Sequence, residues 1–280
     1  MNTLKIIILS FLSFCFFQAG YAKERSEYKC SYRLEYLSDT LARKQFRPEI
    51  YIVQVGNNIT KGFTYQKFYL DSLQTNNPQL YKTLFNASIQ ESIEAMRTTG
   101  DVSHVHNSAF HYGNFASTLY KDYKKNEIRV VDNISTYSFV FTDELSPQKW
   151  EIQNDTATIL GYACQKATCS FRGRNWVAWF TTEIPLSEGP WKFYGLPGLI
   201  TKVHDTEEHY SFELIGFQKK EETIDTKIPK TVQKIERKEF IRSKMGKKAA
   251  RITESEMAEV GLPSSNNQKV IHYDYIERDY

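Results

Sequence analysis

Cysteine is scarce in this chain of 280 residues, with only 4 in all: Cys15, Cys30, Cys164 and Cys169. Long apolar runs are equally rare, and after Phe17 none is long enough to span a bilayer, so no transmembrane helix is expected in the processed chain. Charge of one sign is also missing: 36 Lys and Arg against 33 Asp and Glu leave a formal +3. No basic block carries interleaved aromatics, which argues against a nucleic-acid surface. The P-loop, the Rossmann fingerprint and G-x-S-x-G are absent, as is HExxH, so no motif points to a cofactor or to a catalytic constellation. No Pro-rich or Ser-rich linker and no convincing repeat divides the chain. One domain over residues 23–280 is the expectation.

What is present starts at the N-terminus. Lys5 precedes Ile6-Ile7-Ile8-Leu9 and an apolar stretch from Phe11 to Phe17, closed by Gln18-Ala19-Gly20-Tyr21-Ala22. Small residues at Gly20 and Ala22 fit the recognition pockets of a signal peptidase, so residues 1–22 read as a signal peptide and Lys23 as the mature start. Phe14 stands where a lipobox before Cys15 wants a small residue, which argues against a lipid anchor. The expected location is therefore the periplasm, the outer-membrane surface or the medium. The chain is rich in aromatics, at 14%, as sheet faces built from large side chains require.

Tyr28, Cys30, Tyr32, Leu34 and Tyr36 alternate with polar residues, the period of a half-buried strand, and 51–55 and 62–68 extend the pattern. Asn77-Pro78 then opens a helical period: Tyr81, Phe85, Ile89, Ile93 and Met96, with Asn77 as cap and Pro78 at the first helical position. Short strands are predicted at 117–123, 128–132, 138–141, 149–152, 157–163, 168–171 and 176–181, then a hairpin of 201–204 with 210–217. Residues 231–251 predict a C-terminal helix covering a sheet face or edge, and 270–276 a closing strand. The fold class is mainly β with some α: a large curved antiparallel sheet or open half-barrel, one inserted amphipathic helix and the C-terminal helix.

Three cysteines survive removal of the leader. An oxidising compartment favours a bridge between Cys164 and Cys169, across a loop at 165–168, with Cys30 to Cys164 as the competing pair. His104, His106 and His111 cluster in a loop-like stretch and form a candidate zinc or copper site, against the plainer reading of a solvated loop. His204 and His209 bracket an acidic turn; Glu183, Asp205 and Glu213 are further carboxylates that an unknown hydrolase would use. Asp39-Thr40-Leu41, Asp71-Ser72-Leu73 and Asp155-Thr156-Ala157 match an Asp-Ser/Thr-apolar O-glycosylation acceptor, at Thr40, Ser72 and Thr156.

The most distinctive residues run together: Ile159 to Ala167, Phe171-Arg172-Gly173-Arg174, Trp179-Phe180-Thr181, Glu183-Ile184-Pro185, and Gly189-Pro190-Trp191-Lys192-Phe193-Tyr194 leading into Gly195-Leu196-Pro197-Gly198-Leu199-Ile200. In this order they resemble the GLPGLI family of exported Bacteroidota proteins, most strongly over residues 156–217. The resemblance implies an envelope or extracellular address and an antiparallel β-rich body, and transfers no activity. A similar bowl-like module precedes the catalytic part of some secreted glycoamidases, which implies an accessory or binding unit.

Physically, Gly195, Pro197 and Gly198 make a sharp turn into a strand, with Gly198 suited to positive φ. Two readings of the nearby aromatics stand side by side. In one, Trp176, Trp179, Trp191, Phe193 and Tyr194 back a structural corner. In the other, Arg172, Arg174, Trp176, Trp179, Trp191 and Tyr194 line a concave ligand site. The leading functional expectation is a non-enzymatic module that binds an envelope protein, peptide, glycan or apolar ligand; a half-barrel carrier and a hydrolase are the alternatives.

Overall fold

The computed structural model describes residues 24–40, 44–45, 48–99, 115–134, 137–249 and 274–280. The leader and the three histidines His104, His106 and His111 lie outside the described residues.

One 13-stranded sheet organises the protein. Its centre is β1 (Arg25–Asp39), whose inward positions Cys30, Tyr32, Leu34 and Tyr36 are all buried, as the period-two pattern predicts. A two-residue β2 (Lys44–Gln45) pairs with the end of β1. On one side follow β3 (Glu49–Gly56), β4 (Ile59–Thr64), β5 (Thr118–Asp122), β6 (Glu127–Ile134) and β7 (Tyr137–Glu144). On the other side, in spatial order, are β12 (Tyr210–Thr223), β11 (Leu199–Asp205), β10 (Arg174–Thr181), β9 (Tyr162–Phe171) and β8 (Glu151–Ile159). All these pairings are antiparallel; the short β13 (Gln233–Lys234) adds a parallel pair to β7 and makes the sheet mixed.

Turn chemistry sets the β8–β10 meander. Leu160 and Gly161 (φ 50° and 82°) and then Arg172 and Gly173 (φ 53° and 75°) are two-residue connections with both residues left-handed, the turn class that matches strand twist. The predicted strand at 157–163 therefore breaks at Leu160-Gly161, and 162–171 is one continuous strand. This overturns the disulfide between Cys164 and Cys169. Five residues of extended chain hold their Cα atoms about 16 Å apart and on opposite faces, whereas a bridge needs less than about 7 Å. The competing Cys30–Cys164 pair fails too, because β12, β11 and β10 separate their strands. All three cysteines are free and buried.

A second correction concerns 62–68. Thr64 ends β4 and caps α1 (Tyr65–Asn76), its hydroxyl accepting from Lys67 N at 3.4 Å. Two helices are thus inserted. α2 (Pro78–Thr99) starts where predicted, with Asn77 Oδ1 accepting from Leu80 N at 3.1 Å. The C-terminal helix α3 (Arg237–Ala249) covers β6 and β7: Phe240 and Ile241 are buried, and Phe240 lies 5.1 Å from Phe141, centroid to centroid. The described part of the predicted closing strand, 274–276, is irregular.

The sheet curls. β5 and β10 are six strands apart, ~29 Å at about 4.8 Å per strand, yet residues 182–198, which follow β10, touch β4, β5 and β7. This connection crosses the concave face and joins the two halves.

Candidate functional site

The connection is stitched into β11 by Leu199 N donating to Ile184 O (3.0 Å) and Ile200 N to Glu188 O (2.9 Å). The two glycines of the corner divide the work differently from expectation. Gly195 holds the left-handed conformation, φ 93°, while a Cβ on Gly198 would sit 2.0 Å from the Thr181 carbonyl oxygen, so Gly198 is required for close approach. Over this corner Trp176 and Phe193 meet edge to face at 4.7 Å and Trp191 and Phe193 at 5.1 Å, while Trp176 and Trp191 are tilted against each other at 6.0 Å. Trp176 and Phe193 have no exposed surface. These rings are packed core, with edge-to-face contacts each worth about 0.5–1.5 kcal/mol.

Beneath the corner lies a buried ion pair. Lys121 Nζ donates to Glu188 Oε2 (2.8 Å) and to the carbonyls of Phe193 (2.8 Å) and Gly189 (3.1 Å), using all three of its protons. The other oxygen of Glu188 accepts from Thr60 Oγ1 and Tyr123 Oη. Burial and the Glu188 charge push the Tyr123 phenol well above its usual range, so it stays a donor. The cluster clamps the connection onto β4 and β5.

Beside the aromatic cluster the chain collects basic side chains into a cleft. Arg172 lies in the β9–β10 turn and Arg174 follows it; Lys192 follows Trp191; Arg237 opens α3. The body supplies two carboxylates: Asp143, bonded to Lys192 Nζ (2.8 Å) and Arg172 Nη2 (2.5 Å), and Asp205, bonded to Arg174 Nη1 (2.9 Å). Residues 274–280 lie across the cleft as a strap. Glu277 accepts from Lys192 (2.6 Å) and Arg237 (2.5 Å), and Asp279 from Arg237 (2.8 Å) and Arg172 (3.0 Å). Arg174 donates to the carbonyls of Tyr275 (2.7 Å) and Ile276 (3.0 Å), and Tyr210 Oη to that of Asp274 (2.6 Å). Burial raises the pKa of Asp143, Asp274 and Asp279, but the neighbouring cations outweigh it and hold all three below the usual carboxylate value.

One stretch that supplies the cleft also matches a family model. A family described only as "Protein of unknown function (Porph_ging)" matches residues 172–202, from the β9–β10 turn through the corner into β11. No curated protein matches the chain. Two solved structures described as PNGF-II, in the P21 and C2 space groups, are similar at 14% identity, with TM-scores of 0.49 and 0.48. Each comparison covers 80% of this chain, and 34% and 33% of theirs, so the chain spans about a third of those proteins.

Of the six residues expected to line a ligand site, the fold gathers Arg172, Arg174, Trp176, Trp191 and Tyr194. Arg174, Trp176, Trp191 and Tyr194 are buried among protein atoms rather than lining an open concavity. Trp179 lies on the opposite, partly exposed face of β10. Lys121, Asp143, Glu188, Lys192 and Arg237 were not anticipated. The one local signal was a lysine inside the aromatic run Trp191-Lys192-Phe193-Tyr194.

The acidic turn also closes on itself. Asp205, Glu207 and His209 come near enough to share an ion. However, Arg174 already neutralises Asp205, and Arg278 binds Glu207 through both nitrogens (2.6 and 2.7 Å). Glu183 accepts from Ala163 N and Glu213 pairs with Lys202, so the carboxylates considered for hydrolysis are engaged separately. Of the glycosylation candidates, Thr156 is exposed on β8, while Thr40, after β1, and Ser72, on α1, are half-buried.

Among the described residues, exposed apolar side chains concentrate elsewhere, on α1 and α2. Tyr65, Phe68, Tyr69, Leu80, Leu84, Phe85 and Ile89 are half of the exposed large apolar side chains among the described residues, within 25 residues of chain. Leu70 anchors α1 in the interior, and Phe68 leans on Phe63 at 5.5 Å. Tyr81 and Phe85 stack at 6.4 Å one turn apart on α2.

Proposed function

We propose that the protein is an exported, non-enzymatic partner-binding module that inserts its α1–α2 arm into an apolar groove of another envelope protein. The observation that carries this is the concentration of exposed aromatic and aliphatic side chains on the arm, because clustered apolar exposure marks interaction sites. Leu80 and Leu84, and Phe85 and Ile89, sit four residues apart, the spacing of helix-in-groove anchors. The arm's charges balance: Lys67, Lys82 and Arg97 against Asp71, Glu91 and Glu94. A helix that binds anionic lipid carries a basic polar face, so neutrality favours a protein groove. The carrier reading needs an open apolar bowl, whereas the concave side holds packed aromatics, and a surface groove of about 250 Å3 is lined by Glu35, Lys202, His204 and Glu208 among others. Export rests on the leader sequence.

A photoreactive residue placed at Leu84 in the native host should crosslink to one protein species, while the same residue at exposed Ile215 on β12 should not. Equal adducts from both positions, or none from Leu84, would sink the proposal. Adducts to lipid alone would transfer it to a membrane surface.

A further inference from the structure

Residues 274–280 are held the way a bound peptide is held. Their backbone carbonyls are read by Arg174 and Tyr210, their acids by Lys192, Arg172 and Arg237, and Tyr275 and Ile276 are buried as anchors. The strap backbone runs so close to the β9–β10 turn that a Cβ on Gly173 would lie 2.8 Å from Arg278 Cβ. The fit leaves a void of about 10 Å3 beside Trp191, Tyr275 and Glu277, room for one water.

Charge matches as well as shape. The four cations Arg172, Arg174, Lys192 and Arg237 meet only Asp143 and Asp205 from the cleft itself, an excess of two positive charges. Asp274, Glu277 and Asp279 answer it with three acids, one of them, Asp274, shared with Arg278, which also reaches Glu207. Arg174 and Lys192 have 1% and 0% side-chain exposure. With the strap in place these cations are shielded from water, and each has an acid of the strap beside its body acid, so an occupant that buries them again has to supply acids of its own.

We propose that this cleft is a recognition site for an acidic peptide with a Tyr-Ile anchor pair, and that it accepts residues 274–280 from a second copy of the chain as well as its own. None of the contacts above depends on the strap's covalent link to α3. Residues 250–273 span at most on the order of 80 Å when extended, which is ample to reach a neighbouring copy. Reciprocal exchange of the strap closes a two-fold dimer in which each copy completes the other's cleft.

The test uses the full chain with a protease site inserted within residues 250–273. After cleavage and washing, the protein should stay folded and take up a fluorescent Asp-Tyr-Ile-Glu-Arg-Asp-Tyr peptide. Uptake should fall at least tenfold for the peptide carrying Glu277→Lys and Asp279→Lys. In a concentrated mixture of isotopically heavy and light intact chains, a photoreactive residue at Tyr280 should join heavy to light copies. Unfolding on cleavage, no peptide uptake, equal uptake of the charge-reversed peptide, or crosslinks confined to single copies would each overturn the proposal.

Discussion

Lys192 and Glu277 meet at 2.6 Å although 85 residues separate them, and neither side chain has more than 2% of its surface exposed. The pair links the corner to the strap, and Asp143 and Arg237 extend it to β7 and α3. Replacing Lys192 by Met leaves Glu277 and Asp143 buried beside fewer cations. Breaking one side of such a pair typically costs about 3–5 kcal/mol. Urea melts of Lys192→Met should show a loss of that size, and the milder Glu277→Gln a smaller one; a midpoint unchanged in Lys192→Met would mean that the network carries no stability.

The long separation also explains what the sequence hides. The alternation of Tyr28 to Tyr36 and the Asn77-Pro78 start of α2 are local patterns, so β1 and α2 were legible. α1 was not, because Tyr65, Phe68, Tyr69 and Leu70 continue an aromatic strand and the only stop signal is the Thr64 cap. The turn at Leu160-Gly161 was missed because Leu160 at φ 50° has no turn-former's signature. Arg172 and Arg174 stood out in the sequence, but their acidic partners on the strap did not, since Arg172 and Asp279 are 107 residues apart and nothing local marks them as partners.

Glu49 makes stability depend on pH. Burial raises its pKa from 4.5 to about 7, only partly offset by the hydrogen bond from Tyr36, and its Oε2 has no hydrogen-bond partner. A carboxyl whose folded pKa is raised contributes fully below the unfolded value and loses that contribution as pH rises through the folded one. The Glu49 contribution, on the order of 3 kcal/mol, should therefore vanish between pH 4.5 and about 7. Asp143, Asp274 and Asp279, with lowered pKa values, act in the opposite sense and lose their contribution as pH falls below the ordinary 3.8. Glu49→Gln should gain on the parent protein as pH rises from 4.5 to 8; parallel stability curves for the two proteins would refute this assignment.

The three described cysteines should behave as protected thiols. Burial pushes Cys30 and Cys169 up to about 12, far from the thiolate form that reacts. Cys164 is buried against the Thr201 hydroxyl at 3.2 Å. Folded protein without its leader should resist alkylation at pH 8, and unfolding should release all three thiols without reductant. Recovery of one thiol, with the other two appearing only after reduction, would restore a disulfide.

On the arm, Phe85→Lys tests surface against core. Phe85 is 44% exposed, and substitutions at such positions usually stay within about 0.5 kcal/mol. Stability should hold while crosslinking from Leu84 is lost. A cooperative loss of stability would show that the arm packs within the fold rather than presenting itself to a partner.

Two glycines give opposite outcomes for one added methyl group. At Gly198 the new Cβ would lie 2.0 Å from Thr181 O and 2.7 Å from its carbonyl carbon, both backbone atoms that cannot swing away. The corner and β10 would have to part, and overpacking of that kind costs about 1–3 kcal/mol or more. Gly246 lies within α3, and its added Cβ would meet nothing within 4 Å. There alanine removes the helix penalty of glycine, about 1 kcal/mol. Thermal melts should place Gly198→Ala below the parent protein and Gly246→Ala above it. A Gly198→Ala protein as stable as the parent would mean that the corner does not require the close approach, and the packing of Ile184, Leu199 and Trp191 around it would need another cause.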